Sequence, residues 1–306
     1  MKRRRQFTTV WMLAIAALLS REAAADDTAL QCDQHYSHVL GGHAFLPTFI
    51  VPTPFANSSA LVSLGFAYGD IGNLSLGAFS PRAEGQVLIF KGFAISFGLG
   101  GRMVAGLDGD SAISFGASAG YSYKLGALYE LVRSDLDVLS VAAEVEHPNS
   151  FSVSPIEGAK SFITGLLTNA TADFVSNTVV NQWRANARWA HSFSKPFGIQ
   201  ALAGFRYNQR KTEFRDSTDA TRLQLGAQFE TDFKPMIGIP VGITLSYLRG
   251  QLIDTNIDFL SSVNTVSVGL YLTSSPSFNV GIEYGGVHTG NQTSRAGGVV
   301  ARMYFN

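Results

Sequence analysis

Cys32, His35, His38 and His43 fall within twelve residues near the start of the chain. Thiolate and imidazole are transition-metal ligands, and so close a spacing lets several converge on one ion. The four match no zinc motif, so they stand as metal candidates in a polar segment, and the sequence assigns no cofactor. Two adjacent pairs, His191-Ser192 and His288-Thr289, and the looser His35-Tyr36-Ser37 place a base beside a hydroxyl, as a lipid hydrolase would require. Neighbours on a strand point to opposite faces, so neither adjacent pair can cooperate. The third group precedes any recognisable strand. The chain therefore reads as a non-enzyme. Asp108-Gly109-Asp110 lacks the remaining positions of a calcium loop and reads as a turn.

A larger set of charges recurs at a fixed spacing. In Gln-Trp-Arg-Ala-Asn-Ala-Arg-Trp, residues 182–189, Gln182, Arg184, Asn186 and Arg188 share one parity, while Trp183, Ala185, Ala187 and Trp189 share the other. A period of two is a strand with one polar and one apolar face. The pattern returns in Ile199, Ala201, Ala203, Phe205 and Tyr207, and again in Leu223, Leu225, Ala227 and Phe229. Further copies are Val241 to Tyr247, Val266 to Leu272 and Phe278 to Tyr284. Repeated two-faced strands of about ten residues have the length and the period of a membrane barrel. Trp183 and Trp189 are separated by about 20 Å of strand, close to the height of a barrel's apolar band, so they suit its two aromatic girdles.

Strand parity sends Glu144, Arg184, Arg188, Arg206, Arg222, Glu230, Glu283 and Arg302 to the polar interior. Both signs are tolerable in a wet or ion-paired lumen, whereas lipid penalises each basic group by about 2–4 kcal/mol at mid-depth. Such a wall reads either as a salt-bridge network that fills space or as a surface favouring anionic or polar solutes.

The connections sort by length. Short turns with proline, at 194–197, 234–236 and 274–277, alternate with longer polar links around Gln209 to Asp219 and Gln251 to Ser261. From residue 59 to the end the chain resembles a Gram-negative outer-membrane β-barrel protein, porin-like in general plan. Its last residues alternate as Val299, Ala301, Met303 and Phe305, similar to the terminal signal read by the barrel-assembly machinery, with Asn306 added after the aromatic. The resemblance implies that machinery as a partner during biogenesis, with outer-membrane lipid around the mature barrel. The fold expected is all-β, a transmembrane antiparallel up-and-down barrel of about twelve strands, within a range of 10–14. In the first half the segments read as Ala60 to Tyr68, Gly72 to Phe79, Gly85 to Val104, Ser111 to Lys124 and Ala127 to Glu146. Arg133-Ser134-Asp135 could split the last of these into two.

Residues 1–25 carry the basic, apolar and small-residue order of a secretory signal peptide, with cleavage expected after Ala25. Its removal leaves eighteen basic against twenty-two acidic residues, a balance that suggests no nucleic-acid partner. Residues 26–58 read as a periplasmic or plug-like segment, in which Phe45 to Phe55 is apolar and too rich in proline for a helix or central strand. A helical insertion is expected within a long external loop, 147–179. Ser154-Pro155-Ile156-Glu157 has the form of a capping box, and Ile156, Phe162, Ile163, Leu166, Leu167 and Phe174 make an apolar face suited to narrowing the barrel mouth. The function expected is a passive channel or transporter for small solutes through a charged lumen. A structural or surface-interaction barrel with a filled lumen is the alternative, and an outer-membrane lipid hydrolase a second one.

Overall fold

The computed structural model describes residues 38–71, 74–108, 112, 116–153, 175–212, 215–253, 262–289 and 292–305. A two-stranded hairpin comes first, β1 (Val39–Leu40) and β2 (His43–Ala44), turning through Gly41 and Gly42 at φ values of 55° and 82°. Both lie in the left-handed region that glycine enters freely. Twelve strands then follow: β3 (Ser58–Ile71), β4 (Leu74–Phe90), β5 (Phe93–Gly106), β6 (Ala117–Arg133), β7 (Asp137–Val153), β8 (Val175–Ser194), β9 (Phe197–Thr212), β10 (Arg215–Asp232), β11 (Val241–Leu252), β12 (Ser262–Ser275), β13 (Phe278–Thr289) and β14 (Gln292–Phe305). Each pairs antiparallel with its neighbours in sequence, and β14 closes on β3 through pairs such as Ala301–Val62 and Phe305–Ser58. Closure leaves no edge strand, which is what a sheet must do where no water can satisfy its backbone.

The apolar parity faces outward. Leu64, Phe66, Leu99, Leu125, Leu245, Val268, Leu270 and Ile282 are all exposed, Leu99 by 68%. So continuous an apolar belt is a lipid-facing surface. Tyrosines and Trp183 mark the loop end of this belt, with Tyr207 beside Trp183. Phe90, Phe93, Phe193, Phe197 and Trp189 mark the other end, where the Trp189 indole donates to the Asp137 carboxylate at 3.1 Å.

The end that carries β3's start, β14's end and the short connections corresponds to the periplasmic side of such barrels. One of those connections holds α1 (Lys234–Ile237), a single turn ended by Gly238 at φ 75°.

Several sequence boundaries need correction. Gly85 to Val104 is not one strand, because Lys91-Gly92 forms a tight turn in which Gly92 takes φ 77°. The segment read as ending at Phe79 continues to Phe90, with Pro81 inside β4. Pro81 has no N–H to donate, and residues 80 and 81 leave a gap in the β4–β5 ladder opposite Gly101. Ala127 to Glu146 divides at Arg133-Ser134-Asp135, the split its sequence had left open, into the end of β6 and the start of β7. The polar link at 209–219 belongs largely to β9 and β10, which pair up to Thr212–Arg215. Strands β7 and β8 continue through Val153 and Val175, so the loop expected at 147–179 shortens to 154–174. Those residues, with Ile156, Phe162, Ile163, Leu166, Leu167 and Phe174, lie outside the described residues, as do 1–37.

Candidate functional site

Residues 38–57 enter the periplasmic half of the lumen and are held there by inward-facing side chains. Pro47, Pro52 and Pro54 deny this segment regular secondary structure, so its backbone groups need partners from the wall. Three carboxylates accept from three of its amides. Glu230 takes the Leu46 N–H at 2.6 Å, Glu283 the Phe49 N–H at 3.1 Å and Glu130 the Ala56 N–H at 2.7 Å. Donors serve its carbonyls: Gln228 reaches Leu46 at 3.2 Å, Arg188 reaches Thr53 at 3.0 Å, and Gln86 reaches Phe55 at 2.7 Å and Asn57 at 3.1 Å. Thr48 donates its hydroxyl to Gln228 at 2.6 Å.

Apolar contacts complete the fit. Leu40, Phe45 and Phe55 pack with Val138 and Ala190, while Leu46 packs with Leu61, Tyr271 and Val300. Where the segment presses closest, the wall has glycine. A Cβ on Gly198 would meet His43 at 2.5 Å, one on Gly242 would meet Leu46 at 2.7 Å, and one on Gly298 would meet Phe49 at 3.0 Å. The segment is therefore a shaped plug, with its polar groups paired and its bulk matched to gaps in the wall.

His38 and His43, two of the four metal candidates, turn to separate partners. His38 stacks on Tyr304 with ring centroids 3.5 Å apart, and neither ring nitrogen finds a hydrogen bond among the described residues. Burial, with the positive charge of Arg302 and then His43 nearby, lowers its pKa to about 3. His43 is paired through Nδ1 with the Lys195 carbonyl at 3.0 Å, and its Nε2 stands 3.9 Å from Glu230. No cluster of three metal-ligating groups occurs among the described residues; Cys32 and His35 lie outside them. His191 shares the outer-face parity of Trp189, with its ring 2.9 Å from Asp137, while Ser192 is fully buried.

Above the plug the lumen opens into a cavity of about 1000 Å³, with Phe49 and Ile50 at its floor. Among the described residues six arginines line it, Arg82, Arg102, Arg184, Arg206, Arg210 and Arg222, against two glutamates, Glu146 and Glu283. Glu283 also accepts from the Tyr271 hydroxyl and from Ser267 at 3.3 Å, so it is committed to the wall. Between plug and vestibule runs a belt of ion pairs. Glu144 holds Arg188 at 2.5 Å and Arg184 at 3.6 Å, Arg184 also pairs with Glu146, and Glu84 joins Lys124 at 2.5 Å and Arg82. Charge in the lumen is thus layered: acceptors face the plug, paired charges form the belt, and surplus arginine faces the loop end.

Of the eight charges read from parity, Glu230 and Glu283 bind the plug and Glu144, Arg184 and Arg188 form the belt. Arg206 and Arg222 line the vestibule, and Arg302 lies near Tyr304, its guanidinium 6.0 Å from that ring, with a buried Nε that has no partner among the described residues. Sequence reasoning passed over Arg82, Glu84, Gln86, Lys124 and Glu130, which do comparable work. Arg82 and Glu84 fell between the segments read as Gly72 to Phe79 and Gly85 to Val104. Their alternation with Ala83 and Val87 was the available signal.

No family model matches the sequence, and no curated protein does. Solved structures do match its fold. The transport unit of the autotransporter AIDA-I from Escherichia coli aligns over 87% of this chain and 95% of its own, with 9% identity and a TM-score of 0.55. An outer-membrane channel from Pseudomonas putida F1 aligns over 85% and 100%, with 11% identity and a TM-score of 0.52. The NanC porin aligns over 80% and 100%, with 7% identity and a TM-score of 0.51. The fold is that of the outer-membrane β-barrels.

Proposed function

We propose that this outer-membrane barrel is a channel for small polar solutes, entered through the arginine-lined vestibule and closed on the periplasmic side by residues 38–57. The observation that supports this most is the asymmetry of the lumen. A barrel serving only as a structural element has no need of a cavity of about 1000 Å³ bearing six arginines. A plug bound through hydrogen bonds to a wall with glycine recesses suits a closed state from which the segment can withdraw.

Passage in this reading is diffusive. The solute exchanges part of its hydration for guanidinium contacts in the vestibule, and the rate is set by how often the plug yields. The filled periplasmic half favours one competing reading, a structural or surface-interaction barrel whose plug never leaves. Planar-bilayer recording separates the two. Discrete openings in the full chain, made more frequent by substitutions that weaken the plug's contacts, support a channel. Silence in every folded variant assigns the barrel to the structural role.

A further inference from the structure

Arg184, Arg206 and Arg222 stand directly opposite one another on β8, β9 and β10, since Arg184 pairs in register with Arg206 and Arg206 with Arg222. Like charges facing across a ladder are destabilising, and three in a row on one wall more so. Only one end of this row is neutralised. Glu144, the register partner of Arg184 on β7, and Glu146 both pair with Arg184. Among the described residues no carboxylate forms an ion pair with Arg206 or Arg222. The Arg206 Nε makes a 3.3 Å bond to Asn208, and the Arg222 Nε is buried with no partner among the described residues.

The surroundings leave room for a ligand. All three side chains line the vestibule. One rung toward the plug, Gly204 adds no side chain of its own between Asn186 and Gln224. One rung toward the loops, Gln182 donates to Asn208 at 2.9 Å, which fixes the upper rim. We infer that Arg206 and Arg222, with Arg184 at their edge, form a binding site for the oxyanion group of a small solute, a carboxylate or a phosphate. Guanidinium forks match both groups with paired, charge-assisted hydrogen bonds. The bound anion supplies the charge that the wall lacks and an acceptor for the orphaned Arg222 donor. This names the solute class for the channel proposed above and rests on that reading for its role, but the site itself needs no conduction.

The test is calorimetric titration of the full chain, purified and folded in detergent at low ionic strength, with inorganic phosphate and separately with citrate. Saturable binding of either probe is expected, and the tighter probe identifies the preferred oxyanion. The R206Q/R222Q double variant should weaken binding at least tenfold, while R249Q, on the outer face of β11 and outside the vestibule, should change it less than twofold. Arg222→Lys keeps the charge and loses the fork, so it tests the same point if the double variant does not fold, and it too should lose most of the affinity. No saturable binding by the unaltered protein, or equal weakening by R249Q and R206Q/R222Q, overturns the site. Binding without conductance refutes the channel and leaves the site standing, whereas conductance without binding does the reverse.

Discussion

Truncating Glu230 should release one anchor of the plug without opening the barrel. Its fully buried carboxylate accepts the Leu46 N–H at 2.6 Å, the Gln200 amide at 2.7 Å and the Gln228 amide at 3.2 Å. Glu230→Ala removes three bonds to a charged acceptor. Both glutamines also reach the Leu46 carbonyl, so much of the cost falls on the Leu46 amide, left buried without an acceptor. A buried donor so orphaned costs about 1–3 kcal/mol, and weakened amide contacts bring the total to about 3–4 kcal/mol. That corresponds to roughly a hundred- to a thousand-fold shift toward the undocked segment. Hydrogen exchange followed by mass spectrometry reads this directly. Peptides covering 38–57 should exchange faster by that factor, while β5 and β6 stay protected and the protein keeps its heat-modifiable mobility on gels. Glu230→Gln, which retains an acceptor, should fall between. Exchange in 38–57 that stays within threefold of the unaltered protein, in a folded E230A variant, would refute the assignment of Glu230 as an anchor.

Other consequences are as direct. Gly198→Val places side-chain atoms where the His43 ring now lies, so it should raise exchange in 38–57 as E230A does, whereas Gly238→Ala, with open space around its Cβ, should leave the plug untouched. Ala187→Arg puts a basic group on the lipid face of β8 and should cost about 2–4 kcal/mol, seen as a loss of heat-modifiable protein, while Ala187→Leu should assemble normally. His38 gives the plug a pH dependence. Its docked pKa of about 3 lies below the ordinary value of 6.5, so the undocked segment binds the extra proton, and docking weakens as pH falls below 6.5. At pH 4.5 the loss is about 3 kcal/mol, and the nearby positive charge of Arg302 opposes protonation rather than offsetting it. Proteolysis of 38–57 should therefore quicken on acidification, and His38→Phe, which keeps the stack on Tyr304, should flatten that response.

The barrel was legible because lipid enforces a strict rule. Outward positions at mid-depth between Trp183 and Tyr284 had to be apolar, so parity showed the strands and also sent Arg184, Arg206 and Arg222 inward. Boundaries were less legible where the rule relaxes. Beyond the bilayer β9 and β10 run on through polar residues that look like a loop, and Pro81 sits in a strand at a place where the ladder is locally interrupted. The plug's attachment was hidden for a different reason. Pro47, Pro52 and Pro54 showed that the segment lacks regular structure, but its binding depends on Glu130, Glu230 and Glu283 meeting amides far away in sequence. No periodicity encodes such pairings. The arginine row needed the register as well, since parity gives the face of a residue and not its neighbour across the ladder.

Single-channel conductance of the full chain beside a chain lacking residues 38–57 tests the central claim most directly. If that segment closes a solute path, the full chain should be silent or open only briefly, and the shortened chain, still folded and heat-modifiable, should conduct steadily with a preference for anions. Two folded proteins that are equally silent would contradict the account and leave a filled structural barrel in its place.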